Sequence, residues 1–231
     1  MLPVRGGWPW WTGWAVVLVL ALVVGLGVPV VLRERAAARW PVTAADLADG
    51  RTALAALVVG TPRHVPPYDR ARFGTAWADV DRNGCSTRDD VLRRDLTAVR
   101  LDTDGCTVLT GVLDDPYTAQ VVEFRRGPGS ADVQVDHVVA LADAWAAGAD
   151  AWDPPARERF ANDPANLLAV DGRANQDKGA ADASDWLPPD PGYACVYALR
   201  QIRVKSAYAL RVTPPERDAL SQALTTCHTT P

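Results

Sequence analysis

The sequence predicts an α+β fold, with three short strands and several helices stapled by two disulfides, preceded by one N-terminal transmembrane helix. Three observations predict it. The chain opens on a long apolar block without charge. Two Val-rich runs stand among segments with helical signals. Four cysteines are widely spaced and form no C-x-x-C pair.

The apolar block comes first. No charged residue occurs from Gly6 to Leu32, and the 19 residues from Trp14 to Leu32 are almost purely aliphatic after the Trp. As a helix that stretch spans about 28 Å, close to the roughly 30 Å hydrocarbon core of a bilayer. Trp8, Trp10, Trp11 and Trp14 crowd its leading edge, where indole rings favour the membrane–water boundary. A buried core helix would rarely be apolar on every face. Residues 1–40 therefore read as a signal anchor or transmembrane segment. Ala36-Ala37-Ala38 offers small residues for a signal peptidase, but Arg33-Glu34-Arg35 separates them from an apolar run that is long for a signal peptide. The segment is expected to be retained.

Residues 41–67 read as a helix and a linker. Asp46 to Val59 has helical character with Thr43 upstream as a cap, and Thr61-Pro62 and Pro66-Pro67 stiffen the linker. A domain is expected over 68–231. Within it Thr87 to Leu96 reads as a short helix, and Thr118 to Phe124 and Val133 to Val139 read as strands. Ala140 to Ala151 is helical and broken at Gly148. Leu167 to Val170 is a brief strand, and a helix is expected from Asn175 to Ala183. Tyr193 to Leu210 predicts a long amphipathic helix. Another begins at Thr213, with Pro214 at its first position and Glu216 placed for a capping box. Trp77, Trp145, Trp152 and Trp186 are expected in the core.

The four cysteines allow three pairings. The last two helices are joined by a few residues and should lie antiparallel, which brings Cys195 and Cys227 together and leaves Cys85 with Cys106. Disulfides place the domain in an oxidising compartment. Arg33, Arg35 and Arg39 after the apolar block argue the opposite orientation by the positive-inside rule. The cysteines carry more weight, so the domain is expected outside the cytoplasm, membrane-anchored or secreted.

The chain holds 24 basic and 28 acidic residues. The first forty residues hold four basic side chains (Arg5, Arg33, Arg35, Arg39) and one acidic (Glu34), which leaves 20 basic against 27 acidic. A broad cationic face for nucleic acid is excluded. Any such activity must work through a local patch and a metal.

Of the three histidines, His64 sits in the linker and His228 near the C-terminus, both read as solvated. His137 interrupts an apolar strand pattern in VQVDHVVAL, where a buried, satisfied histidine is the bland alternative. Downstream, FANDPANLLAVDGRANQDKG places Asn166 before a second strand, 29 residues beyond His137, and Asn175 nine residues further at a helix start. Asp-His on one strand, Asn before another and Asn on a helix follow the order of a ββα-metal site. Asp79, Asp81 and Asn83 resemble the start of a calcium loop, yet the twelfth position is Asp90 where a bidentate Glu is expected, so a turn is the reading.

The Asp136, His137, Asn166 and Asn175 set resembles the HNH endonuclease motif. Together with YDRARFGTAW, DVDRNGCSTRDDVL, DPYTAQVVEFRRG and DWLPP it resembles secreted bacterial HNH-type domains related to the C-terminal domain of the GmrSD restriction enzymes, over roughly Tyr68 to Cys227. The resemblance implies a ββα-metal (HNH) core with surrounding helices. It implies that His137 is the general base, that Asn166 pins the loop holding it, and that Asp136 and Asn175 ligate one divalent cation. An oxygen donor set suits Mg²⁺ or Mn²⁺ better than Zn²⁺. Lys178, Arg173 and Arg157 are candidates for phosphate contacts. The implied function is a metal-dependent endonuclease on nucleic acid, DNA rather than RNA, with little sequence preference. The alternative is a catalytically inactive, disulfide-stabilised extracytoplasmic binding module with an HNH-like fold.

Overall fold

The computed structural model describes residues 14, 15, 17, 18, 21, 22, 25, 28–61 and 65–230. The expected membrane-crossing segment thus lies largely outside the described residues, as does His64. Those of its large apolar side chains that are described (Trp14, Val17, Leu18, Leu22, Val28, Val31, Leu32) are exposed. Among the described residues no helix is long and apolar enough to cross a membrane, so the expected transmembrane helix is not part of the described fold.

Helix α1 (Val28–Ala38) leads to strand β1 (Val42–Thr43) and helix α2 (Ala44–Ala56). The Thr43 side chain caps α2 by accepting from the backbone N–H of Asp46, as the sequence predicts. A 3-10 turn (Arg70–Phe73) comes after the linker, and helix α3 (Thr87–Asp95) begins on a Ser86 cap. Strands β2 (Leu96–Leu101), β3 (Val108–Asp114) and β4 (Val121–Arg125) form an antiparallel sheet in that order. Strand β5 (Val133–His137) pairs antiparallel with β6 (Leu167–Asp171), with Asp136 opposite Leu168 and His137 opposite Leu167. Helices α4 (Leu141–Ala147) and α5 (Pro154–Ala161) lie in the connection, and α6 (Gly172–Lys178) leaves β6 directly. Helices α7 (Ala194–Ala207) and α8 (Pro214–Ala223) come next, and β7 (Thr229–Thr230) pairs parallel with β1.

The α+β class and both disulfides agree with expectation: Cys85–Cys106 and Cys195–Cys227, with Cα separations of 5.2 and 5.0 Å. The first ties the entrance of α3 to the β2–β3 turn; the second joins the start of α7 to the chain after α8. The capping box of Thr213 and Glu216 on α8 is present.

Several elements differ from the sequence reading. Strand β4 starts three residues late because Asp115 captures the backbone N–H and hydroxyl of Thr118, closing a turn where a strand was expected. Helix α6 spans Gly172–Lys178 rather than Asn175–Ala183. The Asp171 side chain caps its start through Ala174 N–H, and Gly179 ends it at φ +54°. Strands β2 and β3 were not foreseen, nor was α5. The DxDxN segment is a turn, with the Asp79 and Asp81 carboxylates accepting from the N–H groups of Asn83 and Gly84.

Four apolar clusters hold these parts together. Leu47 and Leu54 of α2 pack on Ala198, Leu199 and Ile202 of α7 and Leu220 of α8. Gly50 lets α2 approach: a Cβ there would fall inside Leu199. Phe73, Trp145 and Phe160 fill a second cluster, and the inner faces of β2–β6 a third. Tyr117, Tyr193 and Tyr197 form the fourth, beneath the β5–β6 pair. One buried charge group sits among the helices: the Lys205 ammonium lies 2.8 Å from Asp143 and also contacts Glu216. Burial lifts the Glu216 carboxyl to about 7, with Lys205 pulling it back.

Candidate active site

Adjacent strand residues normally point to opposite faces. Here strand β5 ends at His137 and the chain turns at once, so Asp136 and His137 line the same cleft, of about 500 Å³. Asn166 makes the turn. It is fully buried, accepting from the N–H of Val139 through its side-chain oxygen at 2.8 Å and donating to the Val139 carbonyl at 3.2 Å. Its own carbonyl accepts from Val138 N–H at 2.8 Å. One side chain thereby fixes the backbone beyond His137.

The His137 ring sits with Nε2 2.8 Å from the Ala161 carbonyl, at the end of α5. A carbonyl only accepts, so Nε2 carries the proton and Nδ1 keeps its lone pair. Trp77 stacks on the ring, at 6.1 Å between centroids and 18° between planes. Burial pushes the imidazole pKa down to about 4, against the Ala161 bond and with the help of Arg70 and Lys178. The ring is neutral near pH 7.

Asp136 is buried. One oxygen takes the Lys178 ammonium at 2.9 Å and the other the Tyr117 hydroxyl at 2.6 Å. Burial raises its carboxyl, while Lys178 and Tyr117 lower it. Lys178, on the last turn of α6, is itself buried and also donates to the His137 carbonyl at 2.8 Å. Asn175, one turn earlier on the same helix, donates through Nδ2 to the Gln134 side-chain oxygen at 2.9 Å and lines the cleft. That bond leaves the Asn175 oxygen as an acceptor.

Of the residues singled out in the sequence, the cleft gathers Asp136, His137 and Asn175, with Asn166 behind them. The three candidate phosphate contacts stand elsewhere. Lys178 is spent on Asp136. Arg157 is buried, donating to the Arg72 and Trp152 carbonyls beneath Trp145. Arg173 borders a separate shallow groove with Asp132 and Asp171. The cleft walls are instead Tyr68, Arg70, Trp77 and Arg88, with Gln134 beside Asn175. Trp77, expected in the core, is half-buried and lines the cleft; Tyr68, Arg70 and Arg88 had no signal in the sequence beyond membership of the resembling stretches.

A divalent cation is what the resemblance implies, and the donors can be tested against it. Each carboxylate oxygen of Asp136 makes one hydrogen bond and has a second lone pair, and Asn175 offers an amide oxygen. This set fits a hard cation. The Lys178 charge beside Asp136 opposes it. A second acidic group, Asp143, Asp182 and Glu216, brings ligand oxygens within 4.8 Å of one another, but the Lys205 ammonium already contacts two of the three.

Comparison with known proteins bears on the same region. A protein described as an uncharacterized secreted protein, from Arthroderma benhamiae, is 40% identical over 162 residues, covering 69% of this chain and 76% of its own. No solved structure matches. The model of the GmrSD restriction endonucleases, C-terminal domain, matches residues 86–223, from the cap of α3 to the end of α8. More than half of the chain lies within that match, and the protein therefore belongs to the GmrSD C-terminal domain family, an HNH-type, endonuclease-related group.

Proposed function

We propose that this domain is a metal-dependent endonuclease that hydrolyses phosphodiester bonds of nucleic acid, DNA in preference to RNA, outside the cytoplasm. The observation that carries the reading is the shared cleft. A neutral imidazole, its Nε2–H fixed by a carbonyl, stands beside an oxygen donor pair from β5 and α6.

In this mechanism His137 Nδ1 takes a proton from water while the oxygen attacks phosphorus and the bond to the 3′-oxygen breaks. The Ala161 carbonyl stabilises the imidazolium that forms. Asn166 holds the main chain so that the ring keeps its aim. Lys178, touching both the Asp136 carboxylate and the His137 carbonyl, sets the spacing of the two. Asp136 and Asn175 would hold Mg²⁺ or Mn²⁺, which supplies charge to stabilise the phosphate and the leaving oxygen. Two disulfides and the secreted relative support the extracytoplasmic placement.

The purified chain should relax supercoiled plasmid with Mg²⁺ or Mn²⁺ and lose this with chelator. His137→Ala should lower the rate by roughly 10² or more. Equal cleavage by that variant would remove His137 from the chemistry. A second reading, a binding module with a retired site, is favoured by one observation: both oxygens of Asp136 are already engaged by Lys178 and Tyr117. Titration with Mn²⁺ separates the two, because a retired site takes up no cation that Asp136→Ala abolishes.

A further inference from the structure

We propose that Arg70 and Arg88 form a two-pronged clamp for the phosphates of the nucleic-acid strand on either side of the cut. This rests on the nuclease reading and names the residues that hold its substrate.

Both guanidinium groups line the cleft that contains Asp136, His137 and Asn175, and they reach it from different elements. Arg70 opens the 3-10 turn that Asp69 caps; Arg88 is in the first turn of α3. Among the described residues neither makes an ion pair, whereas Arg39, Arg94, Arg126 and Arg203 each have a carboxylate. The carboxylate next to Arg88, on Asp89, is taken by Arg126.

Arg88 is the more telling of the two. It is half-buried, lies over the Phe124 ring at 5.7 Å, and burial lowers its pKa. Its neighbouring carboxylate, Asp89, is shared with Arg126, so a guanidinium partly withdrawn from water is only partly compensated, and an incoming anion offsets the remaining cost. Arg70 is exposed and lines the cleft beside Tyr68, Trp77 and His137.

Across the cleft the Asp136 charge is cancelled by Lys178. The cavity therefore presents two guanidinium groups that form no salt bridge among the described residues, in a chain that is acidic overall. A phosphodiester strand meets this pattern with the right sign, and a planar guanidinium matches phosphate oxygens in pairs. The clamp also explains how a chain without a cationic face could hold a polyanion: the attraction is confined to the cleft.

The test is binding of a labelled DNA duplex by the His137→Ala chain, without added metal, at a series of salt concentrations. Arg70→Gln and Arg88→Gln should each weaken binding on the order of tenfold and flatten the slope of log affinity against log salt by about 0.9. Arg88→Lys should keep the slope, and Arg217→Gln on α8 should change neither quantity. A merely structural role for Arg88 would shift thermal unfolding and leave the slope alone. Unchanged slopes for both Gln variants overturn the clamp, as does a failure of the parent chain to bind DNA. If slopes fall as expected but the chain with native His137 never relaxes plasmid, the clamp stands and the hydrolytic reading fails.

Discussion

Lys178 shows at the residue scale how much one side chain can be asked to do. Its ammonium is buried and bonds the Asp136 carboxylate and the His137 carbonyl together. Removing it leaves a buried carboxylate with only the Tyr117 hydroxyl. Lys178→Met should cost about 3–5 kcal/mol of stability, measured by urea unfolding. Adding Asp136→Asn should recover part of the loss, because the orphaned charge is then gone. A Met variant as stable as the parent would show that the pair contributes nothing net. The sequence offered Lys178 as a surface charge for phosphate, since three positions beyond Asn175 nothing distinguishes an inward from an outward lysine. Asp136, His137 and Asn166 stood out because each interrupts or borders an apolar run, whereas Asn175, in a polar segment, stood out only through its place in the order of the motif.

The legible elements are those with strong local signals. β5 and β6 are Val- and Leu-rich, α2 and α8 carry their caps in the sequence, and α7 has an amphipathic face. β2 and β3 hide because buried and exposed positions do not alternate cleanly along either strand, and because Gly111 weakens the β3 pattern. That glycine is required: a Cβ there would come within 2.6 Å of Leu96. The start of α5 was visible in principle as Asp153 followed by Pro154 and Pro155, a cap with proline at the first helical positions. Gly50→Ala should test the α2–α7 contact. It gains helix propensity but pushes on Leu199, and a net loss of roughly 1–3 kcal/mol in chemical denaturation is expected. Opening the Cys195–Cys227 bridge by Cys227→Ser should cost about 2–4 kcal/mol, read the same way, since the bridge closes a loop of 32 residues between α7 and the chain after α8.

For the whole molecule, the buried imidazole links protons to folding. Its pKa is about 4 in the folded state and near 6.5 when the chain is unfolded. Between those values the unfolded chain binds the extra proton, so this contribution to stability is complete above about pH 6.5 and is lost as pH falls toward 4. At pH 5 the loss is about 2 kcal/mol. Between pH 7 and pH 5 the parent should lose about 2 kcal/mol relative to His137→Gln, the opposite trend from the raised Glu216 carboxyl being common to both; identical changes in the two would mean the ring is not shielded from water. If His137 is the base of the proposed mechanism, the same depressed value puts the acid limb of kcat/KM near pH 4, where the ring becomes charged.

The cleft also joins parts of different origin along the chain. In the proposed mechanism the proton acceptor and the oxygen donors stand on β5 and α6, which pack on each other, while the facing walls come from the turn at Arg70 and the first turn of α3. Tool and grip are therefore separable. Under that proposal, replacements in the two walls can retune which strands are held, how firmly and at what ionic strength, while the paired strands and helix behind them keep their places. Relatives that differ in appetite are expected to differ there first.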